Sequence, residues 1–599
     1  MPEDTNVDVV EKEMTPVERM RHSGAHVMAE AVTDLFPEAR LGIGPPIENG
    51  FYYDFELPRP LTPDDLDAIE GRMRESIAAD KRFERRPVTK EEAENLFSDQ
   101  PYKLELINEF GDGSLSVYQH GDFVDLCRGP HVASTGELGP FKLMSVAGAY
   151  WRGSEKNPML QRIYGTMFPT EEELEEHLQR LEMARERDHR KLGRELGLFT
   201  FSPDIGSGIP LFLPRGEMLR HVMESYVRDT QTRYGYQHVW TGNLVKRELY
   251  VKSGHLAHYS DVMFPVMQGE GESEVYMLKP MNCPSHMTLY NTQYHSYRDL
   301  PLRYAEFSTL YRYERSGELA GLTRVRALTQ DDCHIFCTED QIQEEFTRAI
   351  ELIREVLSTY GLSDYRVQLS LRDPHDTDKF VADEEKWNRA EEALRSSLDA
   401  LGIEYEPVLG EAAFYGPKAD FMAKDALGRE WQLSTIQIDF IQPARLNCEY
   451  IGEDGQPHTP VVIHRAVTGT TERFLGILIE HFGGAFPTWL SPVQAMILPI
   501  ADRHQEYARH LAQRLADTGI RAEVDDRSER LQLKIREAQL QKIPYTLVVG
   551  NREVETDSVS VRIRGGQDLG SMPVETLTQL MRRDIDQKAL TPPIEPPAA

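Results

Sequence analysis

Cysteine is scarce in this chain, with five residues among 599. So few cysteines cannot form a disulfide framework, and we expect core thiols, metal ligands or catalytic groups in a reducing compartment. The first 14 residues are acidic and lack both the positive start and the apolar run of a signal peptide. No later stretch has the roughly 20 apolar residues that span a bilayer. We therefore expect a cytoplasmic protein that no membrane span anchors.

Two common nucleotide-binding motifs are also missing, because neither G-x-x-x-x-G-K-[ST] nor G-x-G-x-x-G occurs. Positive charge is in the minority, with 67 Lys and Arg against 98 Asp and Glu and a net charge of −31. That excess opposes non-specific attraction to a polyanion. Charge is local on a large protein, however, and the basic run at 81–86 can still attract phosphates. Nucleic-acid binding is therefore not excluded.

The composition is that of a globular protein, with 40% hydrophobic and 28% charged residues. The length suggests roughly three to five domains. Capping patterns at Thr62 and Thr170 predict helix starts, and the runs 302–311 and 431–441 resemble strands. After Pro492 the pattern alternates between strand and helix, which predicts a small domain with a mostly parallel sheet.

These patterns predict an α+β multidomain protein. We expect a disordered acidic start at 1–13, an N-terminal α/β domain at 14–170, a linker helix at 171–195, a domain with an antiparallel sheet at 196–490, a C-terminal α/β domain at 491–590, and a disordered Pro-rich tail at 591–599.

The first chemical candidate is His22-x-x-x-His26 together with Cys127-x-x-x-His131. Two residues four apart share one face of a helix, so the spacing alone favours a zinc site here. One alternative is structural, with solvated histidines and a core thiol. Another is a hydrolytic pocket without metal, in which imidazoles and thiol position water and an ester.

The second candidate is dispersed and consists of Cys283, His334 and His464. Three N and S ligands with an open fourth position are typical of a zinc ion that contacts substrate. Spacing cannot assemble them, and Cys333 and Cys337 are competing thiols.

A third group consists of cations beside aromatics: Arg312-x-Glu314, Arg324, Arg326 and Gly469-x-x-x-Arg473. Guanidinium groups and a helix start suit the phosphates of a nucleotide triphosphate. Ordinary salt bridging is the alternative.

Arg312-x-Glu314 and Gly469-x-x-x-Arg473 resemble motifs 2 and 3 of class II aminoacyl-tRNA synthetases. The segments KPMNCPSH, LTQDDCHIF, FYGPK, TIQIDF and VIHRAVTGTTERF resemble the threonyl-tRNA synthetase family specifically, and the resemblance runs from about Met14 to Met581. It implies a class II catalytic domain with an antiparallel sheet, an N-terminal editing domain and a C-terminal anticodon-binding domain.

The resemblance also implies roles in charging tRNA(Thr) with L-threonine through threonyl-adenylate. Cys283, His334 and His464 match zinc ligands, and the metal would reject valine because valine leaves it under-coordinated. The other matches are Asp332, Gln330, Tyr415 and Gln437 for threonine, Arg312, Glu314, Arg324 and Arg473 for ATP with Mg²⁺, and His255 for the tRNA 3′ end. A homodimer is expected.

Serine differs from threonine by one methyl group, which binding alone discriminates by only about 1 to 3 kcal/mol, so an editing step is expected. The residues that match the family's editing site, which works without a metal, are His22, His26, Tyr53, Lys103, Asp125, Cys127 and His131. The resemblance thus reverses the ranking of the two metal candidates. Glu553 and Arg562 match anticodon-contacting positions.

Three features depart from the family pattern. His22 comes too early for the small ubiquitin-like domain that commonly precedes the editing domain, Gly242 stands where motif 1 has proline, and Leu328 stands where an aromatic often stacks on adenine. Two rival interpretations are a synthetase for serine or proline, which has no need of the zinc ligands, and a synthetase-derived regulator, which has no need of the motif arginines.

Overall fold

A computed structural model describes residues 14–110, 115–271, 274–376 and 379–591. The predicted disordered start and residues 592–599 of the predicted tail lie outside this range. The chain divides into two compact units, the first ending at Glu182 and the second beginning at Met183. Within the described residues, none of the helices is long and apolar enough to cross a membrane.

The first unit opens with the helix Pro16–Leu35, which carries His22 and His26. Thr15 caps it: its side chain accepts from the Glu18 N–H at 3.2 Å, and the Glu18 carboxylate accepts from the Thr15 N–H at 2.7 Å. This reciprocal capping box satisfies two otherwise unpaired donors. Gly24 lets the helix approach the sheet, because a Cβ there would lie 2.7 Å from the Met167 side chain.

Two antiparallel sheets complete the first unit. One contains the strands Arg40–Leu41, Pro46–Ile47, Gly50–Glu56, Phe141–Tyr150 and Met159–Met167, and the other Glu84–Pro87, Ser116–His120 and Phe123–Leu126. The remaining helices are Pro63–Ala78, Lys90–Leu96 and Pro101–Phe110. The helix predicted at Thr62 therefore begins where its capping pattern placed it.

The segment 171–195, predicted as one linker helix, forms two helices, Glu171–Glu186 and His189–Glu195. The break occurs at Asp188, whose carboxylate accepts the Arg190 N–H at 2.8 Å and so starts a new helix. The charged, helix-favouring composition concealed this second cap.

An eight-stranded sheet forms the centre of the second unit. Its six central strands are antiparallel, and the two edge strands run parallel to their neighbours. The order across the sheet is Gln237–His238, Leu302–Tyr311, Ala327–Cys337, Val461–Ala466, Glu430–Asp439, Lys418–Lys424, Tyr365–Leu371 and Tyr405–Leu409. Both strand-like runs predicted from the sequence belong to this sheet.

Helices surround this sheet, and the amphipathic helix Ile342–Thr359 contributes much of the core. The others are His189–Glu195, Pro214–Arg233, Arg247–Lys252, His255–Tyr259, Cys283–Tyr290, Glu384–Ala400, Gln442–Arg445 and Thr471–His481. Short strands pair outside the main sheet at Phe199–Thr200 with Leu211–Phe212, at Leu244–Lys246 with Val275–Leu278 and Met267–Gln268, and at Tyr450–Ile451 with Pro457–His458.

The C-terminal part of the second unit has its own core and a five-stranded sheet. Its order is Ala522–Val524, Ala495–Pro499, Tyr545–Val549, Ser558–Ile563 and Asp568–Pro573, with helices Gln505–Asp517, Leu531–Leu540, Asn551–Thr556 and Val574–Asp586. The first three strands are parallel, as predicted. The last two join antiparallel, so the expectation of a mostly parallel sheet is only half right.

Candidate functional site

A cavity of about 350 Å³ lies on the antiparallel sheet of the second unit. Three neighbouring strands, Ala327–Cys337, Val461–Ala466 and Glu430–Asp439, contribute to its lining. The residues predicted for charging that line it are His255, Cys283, Arg312, Glu314, Gln330, Asp332, Tyr415, Gln437 and His464. Side chains that are up to about 200 positions apart in the sequence therefore meet in one place.

Cys283, His334 and His464 converge at this cavity, and their ligand atoms all lie within 4.8 Å of one another. The two histidines stand directly opposite each other on adjacent antiparallel strands, and Cys283 begins the helix Cys283–Tyr290. The competing thiols of Cys333 and Cys337 belong to the hydrophobic core. Because side chains alternate along a strand, these two cysteines face away from His334.

His464 and His334 present different ring nitrogens to the place where the three ligand atoms converge. Nε2 of His464 lies 3.0 Å from the Asp439 carboxylate, which also accepts the backbone N–H groups of Ile441 and Gln442. Nε2 is therefore the donor, and Nδ1 is left for a ligand. Burial alone would lower the pKa of His464, but Cys283 and the hydrogen bond to Asp439 outweigh burial and raise it to about 10. Nδ1 therefore also carries a proton near pH 7, and a metal ion bound there would displace it.

On His334 the free nitrogen is Nε2. Its Nδ1 lies 2.8 Å from Nδ1 of His286, whereas Nε2 is buried without a hydrogen-bond partner. Burial, helped by the neighbouring His464 and His286, holds the pKa of His334 well below its usual value. An orphaned, neutral imidazole nitrogen beside a thiol and a second imidazole is a donor set that fits zinc.

The predicted threonine-binding residues lie next to these three side chains. Gln437 is paired with His464 across the sheet, and its Nε2 donates to the Gly416 carbonyl at 3.0 Å. The Tyr415 ring centroid is 5.3 Å from that of His464. Burial raises the pKa of Asp332, which lines the cavity together with Gln330. The group can present both carboxylate and amide oxygens to a small polar ligand.

The predicted phosphate-binding arginines lie near one another, and Arg324 is paired with two carboxylates. Arg324 Nη2 lies 2.9 Å from Glu314 and 3.3 Å from Glu318, and Arg473 Nε donates to the Thr323 carbonyl at 3.2 Å. Burial, followed by the positive charges of Arg324 and Arg312, lowers the pKa of Arg473. Arg473 therefore lies within electrostatic range of both Arg324 and Arg312, and such a group of cations suits an anion.

His255 is buried beside the same cavity. Its Nδ1 lies 2.8 Å from the Ser253 hydroxyl, and its Nε2 has no hydrogen-bond partner among the residues that the structure describes. Burial, then the neighbouring His464, lowers the pKa of His255 to about 3. The imidazole is therefore neutral near pH 7.

A second cavity, of about 300 Å³, lies in the first unit. The predicted editing residues His22, His26, Lys103, Asp125 and Cys127 line it. His131 completes a cluster in which one ligand atom from each of His22, His26, Cys127 and His131 lies within 4.8 Å of the others. The first candidate cluster of the sequence is therefore also assembled in space.

Two imidazole nitrogens face the Cys127 sulfur, Nε2 of His22 at 3.4 Å and Nε2 of His131 at 3.3 Å. His22 Nδ1 lies 3.2 Å from the Pro130 carbonyl and must donate to it. The Ser23 hydroxyl donates to the Arg19 carbonyl, so it accepts from Nδ1 of His131 at 2.9 Å. Both Nε2 atoms therefore carry lone pairs.

The remaining editing candidates form a closed buried triangle. Lys103 Nζ lies 2.6 Å from Asp125 and donates to the Tyr53 hydroxyl at 2.9 Å, which donates to Asp125 at 2.6 Å. Burial raises the pKa of Cys127 to about 12 against a hydrogen bond from the Gly129 N–H. Burial also lowers the pKa values of His22, His26 and His131. The cluster formed by the three histidines and Cys127 is thus uncharged near pH 7, with a protonated thiol.

The two predicted anticodon residues have partners within the C-terminal sheet domain. Glu553 accepts the Gly550 N–H at 2.9 Å in the first turn of its helix, and Arg562 lies 3.3 Å from Asp568.

Two of the residues that depart from the family pattern can be placed in the structure. Leu328 packs in a small cluster with Leu310 and Val325, and Gly242 is exposed.

Sequence reasoning missed three polar residues around the dispersed site: His286, Glu306 and Asp439. His286 could have been found, because Cys283-x-x-His286 is a common ligand spacing that places both side chains on one helix face. Glu306 and Asp439 carry no local signal, since each acts on a partner from another element.

Three family models match the chain. They are "tRNA synthetase class II core domain (G, H, P, S and T)" over residues 266–482, "Anticodon binding domain" over 494–584, and "Threonyl and Alanyl tRNA synthetase second additional domain" over 115–164. The first covers seven of the eight strands of the central sheet and the cavity residues from Met281 onward, and the third covers Asp125, Cys127 and His131.

Similar proteins include the threonine--tRNA ligase of Rubrobacter xylanophilus, 65% identical over 547 residues that cover 91% of this chain and 85% of the relative. That of Thermus thermophilus is 50% identical over 588 residues, covering 96% and 89%.

Among solved structures, the RNA binding domain of threonyl-tRNA synthetase from Cryptosporidium parvum Iowa II is 37% identical with a TM-score of 0.63, covering 68% of this chain and 99% of that one. Prolyl-tRNA synthetase from Cryptosporidium parvum shares the fold, with 14% identity, a TM-score of 0.51 and coverage of 67% and 76%.

Proposed function

Because the chain belongs to the threonyl-tRNA synthetase family, we propose that its 350 Å³ cavity is where L-threonine is activated with ATP and joined to tRNA(Thr). The 300 Å³ cavity hydrolyses mischarged seryl-tRNA(Thr). The observation that carries the proposal is the convergence of Cys283, His334 and His464 beside Asp332 and the arginine cluster.

We assign threonine recognition to the ligand set and the polar side chains next to it. Cys283 Sγ, His334 Nε2 and His464 Nδ1 would hold Zn²⁺. When bound, the metal would act as a Lewis acid toward the amino and hydroxyl groups of threonine. Asp332, Gln330, Tyr415 and Gln437 hydrogen-bond and enclose the same amino acid. Valine lacks the hydroxyl and would leave these buried polar groups unpaired, which costs affinity.

Adenylate formation needs positioning and charge stabilisation, with no protein nucleophile. A threonine carboxylate oxygen attacks the α-phosphorus of ATP, the bond to the bridging oxygen breaks, and pyrophosphate leaves. Arg312, Arg324 and Arg473 hold the phosphates, which arrive with Mg²⁺, and Glu314 reads the adenine edge. Binding of a polyanion relieves the repulsion among the arginines, so their stabilising effect grows as negative charge accumulates on the phosphate.

Transfer joins the threonyl carbonyl carbon to a ribose hydroxyl at the tRNA 3′ end, and AMP leaves. We assign His255 to this step because its unpartnered Nε2 belongs to a residue lining the cavity and its imidazole is neutral. It orients the ribose hydroxyl by accepting a hydrogen bond from it.

For editing we propose hydrolysis by a positioned water molecule. The single thiol proton of Cys127 can satisfy only one of the two facing lone pairs, so either His22 or His131 keeps a free Nε2 that can take a proton from water. The hydroxyl oxygen then bonds to the seryl carbonyl carbon, and the ester bond to the ribose breaks. Lys103, held by Asp125 and Tyr53, fixes the pocket wall, and His26 packs against the cluster.

We further propose domain roles with the boundaries derived from the sequence: editing at 14–170, a linker at 171–195, catalysis at 196–490 and anticodon binding at 491–590. Arg562 would contact the anticodon by exchanging its ion pair with Asp568, and Glu553 lies on the neighbouring helix. A cytoplasmic location also stays a prediction.

A homodimer is proposed on the basis of exposed apolar side chains near the position where the family has motif 1. Trp240 is 79% exposed, Leu244 55% and Met267 40%, and the last two lie on strands that pair with the same neighbour, Val275–Leu278. Apolar groups clustered at a surface commonly mark an interface. Analytical ultracentrifugation of the wild type and Trp240→Glu tests this assignment.

Amino-acid-dependent exchange of pyrophosphate into ATP tests the charging function. We expect exchange with threonine but not with valine or proline, loss of exchange after zinc chelation, and recovery when zinc is restored. Exchange specific for serine or proline, or an absence of exchange in zinc-replete protein, would contradict the proposal.

A further inference from the structure

A continuous buried hydrogen-bond relay leads from the segment around Thr241 to Nδ1 of His334. Glu306 accepts the Thr241 N–H and hydroxyl, each at 2.8 Å. Glu306 also lies 3.1 Å from Nε2 of His286, and Nδ1 of His286 lies 2.8 Å from Nδ1 of His334. Glu306 is 3% exposed and both histidines are fully buried, so water does not compete for these bonds.

The donor and acceptor in each hydrogen bond of the relay follow from the protonation state of Glu306. Burial alone would raise the pKa of Glu306, but the hydrogen bonds from His286 and Thr241 outweigh burial and lower it. A carboxylate only accepts, so His286 must donate from Nε2. In the tautomer that this donation selects, the lone pair of His286 lies on Nδ1. His334 donates to it from its own Nδ1, which leaves the His334 Nε2 lone pair free.

The carboxylate itself is held firmly. Lys279 is fully buried, and its ammonium group donates to the Thr241 hydroxyl at 2.8 Å, to the Thr241 carbonyl at 3.2 Å and to the Ser308 hydroxyl. It also lies 3.9 Å from Glu306. Glu306 and His334 sit on neighbouring antiparallel strands two positions out of register, with Glu306 opposite Asp332. The sheet therefore fixes the distance that His286 bridges.

We propose that Glu306 and His286 are positioning residues that select the His334 tautomer able to bind zinc. This inference rests on the proposed function, since it assumes that the trio holds a metal. Histidine ligands generally donate their second N–H to an oriented acceptor, and loss of that acceptor typically weakens metal binding by about 10- to 100-fold. Here the orienting carboxylate acts through a second imidazole rather than directly.

Two variants test the relay from its two ends. Glu306→Gln keeps the size and an oxygen for the Thr241 N–H but turns an N–H toward His286, which reverses the proton direction and places a proton on His334 Nε2. His286→Leu removes the acceptor for His334. We expect each to bind zinc about 10- to 100-fold more weakly than wild type.

The conservative and control variants separate this effect from structural damage. His286→Asn keeps an oxygen acceptor near the former Nδ1, so its zinc affinity should stay within about threefold of wild type. His295→Leu is the matched control, because His295 is a buried histidine bonded to the Tyr290 carbonyl and belongs to no ligand set in the described residues. We expect wild-type zinc affinity from it.

The measurement is competition of the full-length protein with a chromogenic zinc chelator, together with the visible spectrum after Co²⁺ substitution and circular dichroism for folding. Equal zinc affinity in wild type, Glu306→Gln and His286→Leu would overturn the relay. Equal weakening in His286→Asn and His286→Leu would also overturn it, whether or not Glu306→Gln folds. A wild type that binds no zinc refutes the proposed zinc site instead.

Discussion

Asp439 and His464 form a fully enclosed hydrogen bond, with Oδ2 3.0 Å from Nε2. The other carboxylate oxygen of Asp439 accepts two backbone N–H groups, so the side chain cannot turn. An Asp439→Asn variant would keep its oxygen on the backbone donors and point its NH₂ at Nε2. On His464 only Nδ1, the nitrogen proposed to bind zinc, can then carry the ring proton.

We therefore predict that Asp439→Asn lowers the zinc content of purified protein and lowers threonine-dependent pyrophosphate exchange by about 10-fold or more. Atomic emission spectrometry and the exchange assay check this. Asp425→Asn is a control, because Asp425 is a buried carboxylate bonded to Arg429 and belongs to no ligand set found in the described range. Full zinc occupancy in Asp439→Asn would contradict the assigned ligand nitrogen.

The proposed editing pocket predicts a change in the accuracy of aminoacylation rather than in the rate of threonine charging. The double variant His22→Ala, Cys127→Ala removes an imidazole and the thiol that would hold the water molecule in place, so hydrolysis of seryl-tRNA(Thr) should fall while threonine charging stays within about twofold of wild type. Deacylation of pre-formed seryl-tRNA(Thr) measures the first effect. If the variant accumulates no more seryl-tRNA(Thr) than wild type, the assignment of this cavity to editing is wrong.

The Cys127 thiol should react as a protonated thiol. Since burial raises its pKa to about 12, the thiolate fraction stays small and grows about tenfold per pH unit through pH 9. Alkylation of Cys127 by iodoacetamide, followed by peptide mass spectrometry, should therefore be slow at pH 7 and accelerate without a plateau up to pH 9. A plateau below pH 8 would indicate an activated thiolate and a nucleophilic mechanism.

Replacement of His255 should separate adenylate formation from the transfer of threonine to tRNA. We predict that His255→Ala retains pyrophosphate exchange within about threefold but slows transfer of threonine to tRNA by about 100-fold. His258→Ala is the matched control, since His258 is an exposed histidine three residues along the same short helix. Rapid-quench transfer from pre-formed threonyl-adenylate gives the rate. Equal transfer rates in both variants would remove His255 from this step.

The raised pKa of Glu472 predicts that the stability of the folded protein depends on pH. Burial raises its pKa from 4.5 to about 7, although the Thr329 N–H donates to it. The folded state therefore holds a proton that the unfolded state releases, and this contribution to stability is complete below about pH 4.5 and lost as pH rises through about 7. The shift corresponds to about 3 kcal/mol.

Glu472→Gln should therefore gain thermal stability over wild type at pH 8 but not at pH 5, as measured by differential scanning calorimetry. Glu351→Gln, an exposed position on a helix, should show no such difference. A Glu472→Gln difference that does not change between pH 5 and pH 8 would contradict a raised pKa.

Much of the local structure was accessible from the sequence, because its causes are local. Thr62 starts a helix through contacts within four residues, and the run 302–311 is a strand from end to end. The break at Asp188 and the final antiparallel hairpin were missed because a favourable helix composition and an alternating pattern pointed the other way.

In the candidate sites too, some features were determined by the sequence and others only by the tertiary structure. The identity of the family and the residue types of both clusters were determined by the sequence itself, since the motif residues stand at recognisable positions. Which ring nitrogen of His334, His464 or His131 is free depended on Glu306, His286, Asp439 and Ser23, each contributed by another part of the fold. The protonated state of the Cys127 thiol depended on its burial. Only the tertiary structure could decide these protonation states, because a proton responds to burial and to the hydrogen-bond partner across the sheet and not to neighbours along the chain.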